Sequence, residues 1–316
     1  MRSRRGPTNN MALFMFAMQI MQVGFQNIPP GTLTLMILNV GWFFFDFTRY
    51  LPRGFPLEIE EVCIGAAAVW YGHQWYRILL SAITHVTDMH VVYNMTSLMW
   101  KGIQIEPQLG TVRFVWMIFL LLIMSHSLLV GVSFALAAGG MEDIMSQCAV
   151  GFSGVLFALK VVLNYSPNVQ PVSRPVFFGM PLPFTVPTKH MAWVELIVIH
   201  LMMPYTSLLG HLCGVLAGLI YASGVLRPLF ALPDYLGIAE LIPRFQPDPN
   251  AGQFGGGMGM GMGPMGMGMG GVPMNPYGGG MGYGGGGRPV GGYPPQDGMR
   301  HRDGYVRDGV LHYRDE

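Results

Sequence analysis

Ser153 lies in Gly151-Phe152-Ser153-Gly154 at the head of an apolar segment, and His211 opens Gly210-His211-Leu212-Cys213-Gly214-Val215-Leu216-Ala217-Gly218 in a later one. A hydroxyl and an imidazole are the parts of a nucleophile and its base. The ring removes the proton as the oxygen attacks a carbonyl, then returns it to the leaving amine. His90 and Asn94, spaced i and i+4 on one face of a third apolar segment, offer donors for the resulting oxyanion, as does the backbone N–H of Ser153 at a helix N-terminus. No Asp or Glu falls in a span near His211, which points to a dyad and not a triad. Orientation of the ring is then left to packing, and Phe157, one turn after Ser153 on the same face, is the expected support.

The glycines have their own logic. Gly151 and Gly154 allow close backbone approach beside the serine, and Gly210, Gly214 and Gly218 repeat the small-x-x-x-small spacing that brings membrane helices together. Taken alone, Gly-x-Ser-Gly is more often a packing motif than a nucleophile, because serine bonds its own helix backbone. An imidazole inside a span is already unusual, since unsatisfied polar groups there are penalised by several kcal/mol.

The elements that must position these side chains are membrane spans. Of 316 residues, 51% are hydrophobic and only 11% charged, and the mean hydropathy is +0.39, which soluble globular domains do not usually reach. Net charge is +1 with no clustered Lys and Arg, which argues against a nucleic-acid partner. Cys63, Cys148 and Cys213 have no metal-ligand spacing, and the reading favoured for them is small buried hydrophobes or a free thiol; no metal or cofactor is expected. After Arg2, Arg4 and Arg5 the apolar region runs on without an Ala-x-Ala type site, so the N-terminus is expected to be retained.

Apolar stretches at about 30–47, 85–103, 114–138, 149–163, 190–203 and 208–226 predict six spans. Residues 10–27, with Gln19, Gln22 and Gln26 in a polar stripe, are expected to lie on or partly in the membrane; a seventh span there would invert the parity. A long polar loop over 48–83 carries Arg49, Arg53, Glu58, Glu60, Glu61 and Arg77. Lys and Arg near span ends fall on one side (Arg2, Arg4, Arg5, Lys101, Arg113, Arg174, Lys189, Arg227), while Glu142 and Asp143 lie on the other; the exception is the loop over 48–83, whose three arginines are offset by acids. Both termini are therefore expected in the cytosol. Spans two, four and six then run from lumen to cytosol, which puts His90, Asn94, Ser153 and His211 at one lumenal depth. Random placement would scatter them between leaflets. The fourth segment reaches only about 22 Å at 1.5 Å per residue, so its serine should be recessed.

Three regions follow: a cytosolic or interfacial segment over 1–29, the six-span domain over 30–230, and a tail over 231–316. The alternation of Gly and Met over 255–271, leading into Gly, Pro and Tyr-rich sequence, lacks the surface to build a core, so the tail is expected to be disordered, serving as a spacer or for weak contacts through its methionines.

These residues resemble a rhomboid intramembrane serine protease. The likeness covers about residues 25–227 and is carried by Gly151-Phe152-Ser153-Gly154, by His211 with Gly214 and Gly218, by His90-x-x-x-Asn94 and by Glu106-x-x-x-Gly110. Arg77 matches the arginine of the family's Trp-Arg motif, although Tyr76 separates it here from Trp75. Within the family the chain is most similar to the rhomboid-related protein 4 group, from Asn27-Ile28-Pro29-Pro30, Trp100-Lys101-Gly102-Ile103, Trp193-Val194-Glu195-Leu196 and the run from Cys148 through Lys160.

That resemblance implies an all-α, six-span endoplasmic reticulum protease that cleaves unstable or ubiquitinated membrane helices in quality control, with Ser153 and His211 catalytic and Asn94 and His90 at the oxyanion. It also implies partners: membrane-protein substrates in the lipid bilayer, ubiquitinated clients, and a valosin-containing AAA ATPase held by a basic motif that Met299-Arg300-His301-Arg302 and Arg307 only faintly match. No acidic amphipathic helix of the ubiquitin-interacting kind occurs in the tail. Two other readings compete: a catalytically silent relative that binds membrane clients for degradation, and a small transporter or channel. The second expects polar groups through the full depth of the bilayer, whereas the cytosolic halves here read as apolar.

Overall fold

Prolines, caps and one buried carboxylate decide where the helices start and stop. The computed structural model describes residues 10–45, 50–52, 54–56, 58–166, 172–173, 176–177, 180–181, 185–203, 206–246, 304–307 and 310–313. Its helices in chain order are α1 (Asn10–Val23), α2 (Pro30–Phe44), α3 (Ile59–Val62), α4 (Ala66–Trp70), α5 (Arg77–Ile83), α6 (Asp88–Leu109), α7 (Thr111–Ala138), α8 (Ser153–Asn164), α9 (Met191–Met202), α10 (Leu208–Ser223), α11 (Arg227–Phe230) and α12 (Leu232–Tyr235). Pro30 opens α2, where its fixed φ suits a first helical turn. Thr87 caps α6 by accepting the His90 N–H at 3.1 Å, and Ser207 caps α10 by accepting that of Gly210 at 3.0 Å. Gly110, at φ +87°, makes the sharp join between α6 and α7 that a side chain would resist.

Glu106 ties that junction together. Its fully buried carboxylate accepts the N–H of Gly31 (2.8 Å) and of Thr32 (2.7 Å), and the hydroxyls of Thr32 and Thr111 (2.8 Å each). It thus caps the N-terminus of α2 from another helix, supplying negative charge where the helix dipole favours it.

Five of the expected apolar segments coincide with α2, α6, α7, α9 and α10, and the fourth with α8. Among the described helices only α7 is by itself long and apolar enough to cross a bilayer; its 28 residues rise about 42 Å. The 12-residue α8 rises about 18 Å. It is instead the centre of the bundle, with Val155, Leu156, Phe157, Ala158, Leu159 and Val161 buried against α6, α7, α9 and α10. The outward faces are apolar: Phe14 and Met21 on α1, Ile37 and Leu38 on α2, Ile197 and Leu201 on α9 are all exposed. A surface of that kind faces lipid or a partner.

Buried charge joins the shorter helices. Glu195 on α9 lies 3.2 Å from Lys160 on α8 and 3.9 Å from Lys101 on α6, and Lys101 also donates to Ser97 at 2.6 Å. All three ionic side chains are nearly inaccessible. The helix α1 lies along α6, where the Thr96 hydroxyl donates to Gln19 at 2.7 Å.

Several expectations need correcting. Cys63 and Cys148 form a disulfide, with Cα atoms 5.5 Å apart across 85 residues, where isolated buried residues or a free thiol were expected; Cys213 alone remains a buried free thiol. The polar stretch over 48–83 is not simply a loop, because α3, α4 and α5 lie in it and bury Val62, Val69 and Ala82. Packing does not stop at residue 230 either. Arg113 donates to Asp234 (2.6 and 2.9 Å) and Glu240 (2.6 Å), which fastens the segment after α10 onto α7. The tail also contains an antiparallel hairpin, β5 (Gly304–Arg307) with β6 (Val310–Tyr313); four two-residue strands precede it, β1 (Val172–Ser173), β2 (Val176–Phe177), β3 (Met180–Pro181) and β4 (Val186–Pro187), paired β1 with β4 and β2 with β3. Residues 1–9, the Gly and Met alternation over 255–271 and the stretch Met299-Arg300-His301-Arg302 lie outside the described residues.

Candidate active site

A short extended strap delivers the chain to Ser153. Within it, Ala149 pairs with Ile64 through two backbone hydrogen bonds, Ile64 N–H to Ala149 carbonyl at 2.8 Å and the reverse at 3.0 Å. The N–H of Gly151 then donates to the carbonyl of Ser81 on α5 at 2.8 Å. Gly151 has φ +112°, and an added Cβ would come within 2.7 Å of the His90 ring, so glycine alone fits both the backbone and the space. Phe152 is buried, and the helix begins at Ser153.

The partner arrives on α10. A Cβ on Gly214 would overlap the carbonyl of Gly154, and one on Gly218 would come within 2.7 Å of the Ala158 carbonyl oxygen. With no side chain at either place, the backbones of α8 and α10 touch. That approach puts His211 Nε2 2.9 Å from Ser153 Oγ, close enough for the hydroxyl to donate to the ring nitrogen. The Phe157 ring lies 4.7 Å from the imidazole, tilted by 33°, and His211 is 5% exposed. Its other nitrogen, Nδ1, meets no hydrogen-bonding side chain or carbonyl among the described residues. The hydroxyl and the imidazole thus form a hydrogen-bonded pair, and packing against Phe157 orients the ring.

His90 and Asn94 stand on α6 beside the same strap. The His90 ring faces Gly151, and the Asn94 amide nitrogen is 3.6 Å from the Cβ position of that glycine. Asn94 gives one N–H to the carbonyl of His90 at 3.0 Å, which leaves its second for another acceptor. The structure thus brings together Ser153, His211, Phe157, His90, Asn94, Gly151, Gly154 and Gly214. Gly218 lies one turn further along the same contact. Arg77 is elsewhere: its guanidinium donates to the carbonyls of Cys63 (2.7 Å) and Glu60 (2.8 Å) and to Gln74 (2.5 Å), fixing the end of α3. Glu106 is near the far end of α6, sixteen residues or about 24 Å along the axis from His90, and Gly110 follows the last residue of that helix.

Sequence reasoning missed some neighbours. His85 packs edge-on against His90 with centroids 5.0 Å apart. His126 on α7 bonds the carbonyl of Ile78 through Nδ1 at 2.6 Å and so braces α5, whose Ser81 receives Gly151. An imidazole in the middle of a long apolar span was the available signal. Among the described residues no three His, Cys, Asp or Glu side chains are grouped as a metal site would need.

Against known families, a Rhomboid domain matches residues 72–228. Rhomboid-related protein 4 of Homo sapiens is 38% identical over 232 residues, covering 72% of this chain and 67% of its own. The Mus musculus protein of the same name is 37% identical with the same coverage. Rhomboid-like protein 14, mitochondrial, of Arabidopsis thaliana is 42% identical over 199 residues, 61% of this chain and 55% of its own. With its helical bundle, its apolar outer faces and these relatives, the chain belongs to the rhomboid family of multi-pass membrane proteins.

Proposed function

We propose that this protein is an intramembrane serine endopeptidase acting through Ser153 and His211. The observation that carries the reading is the 2.9 Å approach of His211 Nε2 to Ser153 Oγ across two separate helices. In the reaction, Nε2 takes the hydroxyl proton as Oγ attacks the scissile carbonyl. The oxyanion is met by the backbone N–H of Ser153, the free amide N–H of Asn94 and the His90 ring. His211 then protonates the departing amine and an acyl-serine remains. A water, deprotonated by the same ring, attacks that ester and releases the serine.

Six spans with both termini in the cytosol, a catalytic domain over 30–230 and residence in the endoplasmic reticulum complete the proposal. The side carrying Ser153 then faces the lumen. The Cys63–Cys148 disulfide supports that orientation, since such bonds persist in oxidising compartments. Substrates are membrane helices that unwind readily, because the serine needs an extended backbone and a helix satisfies its own hydrogen bonds. Unstable membrane proteins meet that requirement.

The test is cleavage of a reconstituted transmembrane substrate, with products sequenced by mass spectrometry. Cleavage should vanish in both Ser153→Ala and His211→Ala. Cleavage that persists in Ser153→Ala refutes the mechanism, and client binding without product from the unaltered protein points to a silent binding factor.

A further inference from the structure

Resting on Ser153 as the nucleophile, we propose that Cys63 and Cys148 are positioning residues, whose cross-link holds the strap that aims Ser153 and makes turnover depend on the oxidation state of the pair. The strap is anchored within a few residues at three places. The disulfide holds Cys148, the paired backbones of Ile64 and Ala149 hold the next residue, and Ser81 holds Gly151, two residues before the nucleophile. Cys63 is itself fixed, because Arg77 donates to its carbonyl at 2.7 Å and its side chain is buried. The cross-link therefore ties the strap to a rigid post. A narrow cleft lined by Ile64, Cys148, Ala149 and Ser207 borders the strap, so its packing there is incomplete and the cross-link carries part of the restraint.

The backbone N–H of Ser153 is an oxyanion donor only while the peptide planes leading to it keep their orientation. Misplacement by about 1 Å can lower a rate about 100-fold, as can loss of one such donor. Because that donor acts on the transition state, detaching the strap should lower kcat and leave KM nearly unmoved. Helices α8 and α10 remain joined through their glycines, so the fold and the dyad distance survive. The redox step is ordinary exchange. A dithiol's thiolate attacks one sulfur, the second thiol resolves the mixed disulfide, two cysteine thiols form, and the reductant leaves as its cyclic disulfide. Cys213 is already a thiol, so the reductant has a single target among the three cysteines.

The experiment uses the full chain in lipid vesicles, oxidised or treated with dithiothreitol, beside the Cys63→Ser/Cys148→Ser double variant. Non-reducing peptide mapping should find the Cys63–Cys148 cross-link before treatment and two thiols after it. Reduction should lower kcat about 10- to 100-fold with KM unchanged, and reoxidation should restore it. The double variant should start low and ignore the reductant. Complete reduction without a change in kcat overturns the proposal, as does a fall matched by loss of helical circular dichroism, which would make the bond merely structural. A serine-reactive fluorophosphonate separates the two levels of inference. If it labels Ser153 of the oxidised protein, the protease reading stands whatever reduction does; if it never labels Ser153, that reading fails first.

Discussion

Replacing Gly214 by alanine tests the close packing of α8 against α10 directly. An ideal Cβ there sits 2.9 Å from the carbonyl carbon of Gly154 and overlaps the oxygen bonded to it. Both obstacles are backbone, so no rotamer change relieves them, and restoring ordinary contact requires the helix axes to part by about 1 Å. His211 is three residues, less than one turn, before Gly214, so most of that displacement reaches the dyad. The Nε2 to Oγ separation of 2.9 Å would open to about 3.9 Å, beyond hydrogen-bond range. Turnover should fall about 100-fold or more, while overpacking costs about 1–3 kcal/mol of stability. The control is Gly131→Ala on α7, where nothing lies within 4 Å of the added carbon. That change should leave turnover alone and raise helix stability by up to about 1 kcal/mol. The assay is cleavage of a reconstituted transmembrane substrate, with a thermal melt of each variant. Gly214→Ala cleaving at the parental rate, with an unchanged melting temperature, would refute the claim that glycine is what brings the dyad within reach.

Other consequences follow from the buried polar groups. Glu106→Ala orphans the N–H groups of Gly31 and Thr32 at about 1–3 kcal/mol each, so the melting temperature should drop sharply, whereas fluorophosphonate labelling per folded molecule should change little. Glu195→Ala leaves Lys101 and Lys160 without their carboxylate and should cost about 3–5 kcal/mol; a melt within error of the parent would show that the charges are solvated after all. The Arg113 hydrogen bond holds the Glu240 carboxyl below the usual carboxylate range. Its contribution is therefore present above the unfolded pKa of about 4.3 and is lost as pH falls through the lower folded value. The protection factors of amides over 232–244, taken against unfolded-chain exchange at each pH, should fall below about pH 4 and stay flat from pH 5 to 8. Since Glu240 is more than half exposed, the effect should be local and weakened by salt.

The candidate site was legible because its parts are marked locally: glycines at small-x-x-x-small spacing, a serine at a helix start, an imidazole in an apolar run. Their meeting was expected from the direction that alternate spans take in a six-span reading. What escaped the sequence depends on partners far along the chain. Cys63 and Cys148 are separated by 85 residues, and cysteine spacing does not fix connectivity. Arg113 meets Asp234 and Glu240 across 121 and 127 residues, so the composition change near 231 suggested a free tail where ion pairs hold the chain. The helices α3 to α5 are too short for periodicity to reveal them. His126 was visible and passed over. The hairpin of β5 and β6 had a local signal as well, since Asp308-Gly309 separates Tyr305-Val306-Arg307 from Val310-Leu311-His312, a pattern that favours a two-residue turn.

In the proposed mechanism His211 activates Ser153 inside the membrane domain. Intact membranes carrying the unaltered chain, treated with a fluorophosphonate and mapped by peptide mass spectrometry, should show the adduct on Ser153; membranes carrying His211→Ala at equal abundance should show none. An adduct forming equally fast without His211, or one found only on other serines, would exclude activation of Ser153 by His211.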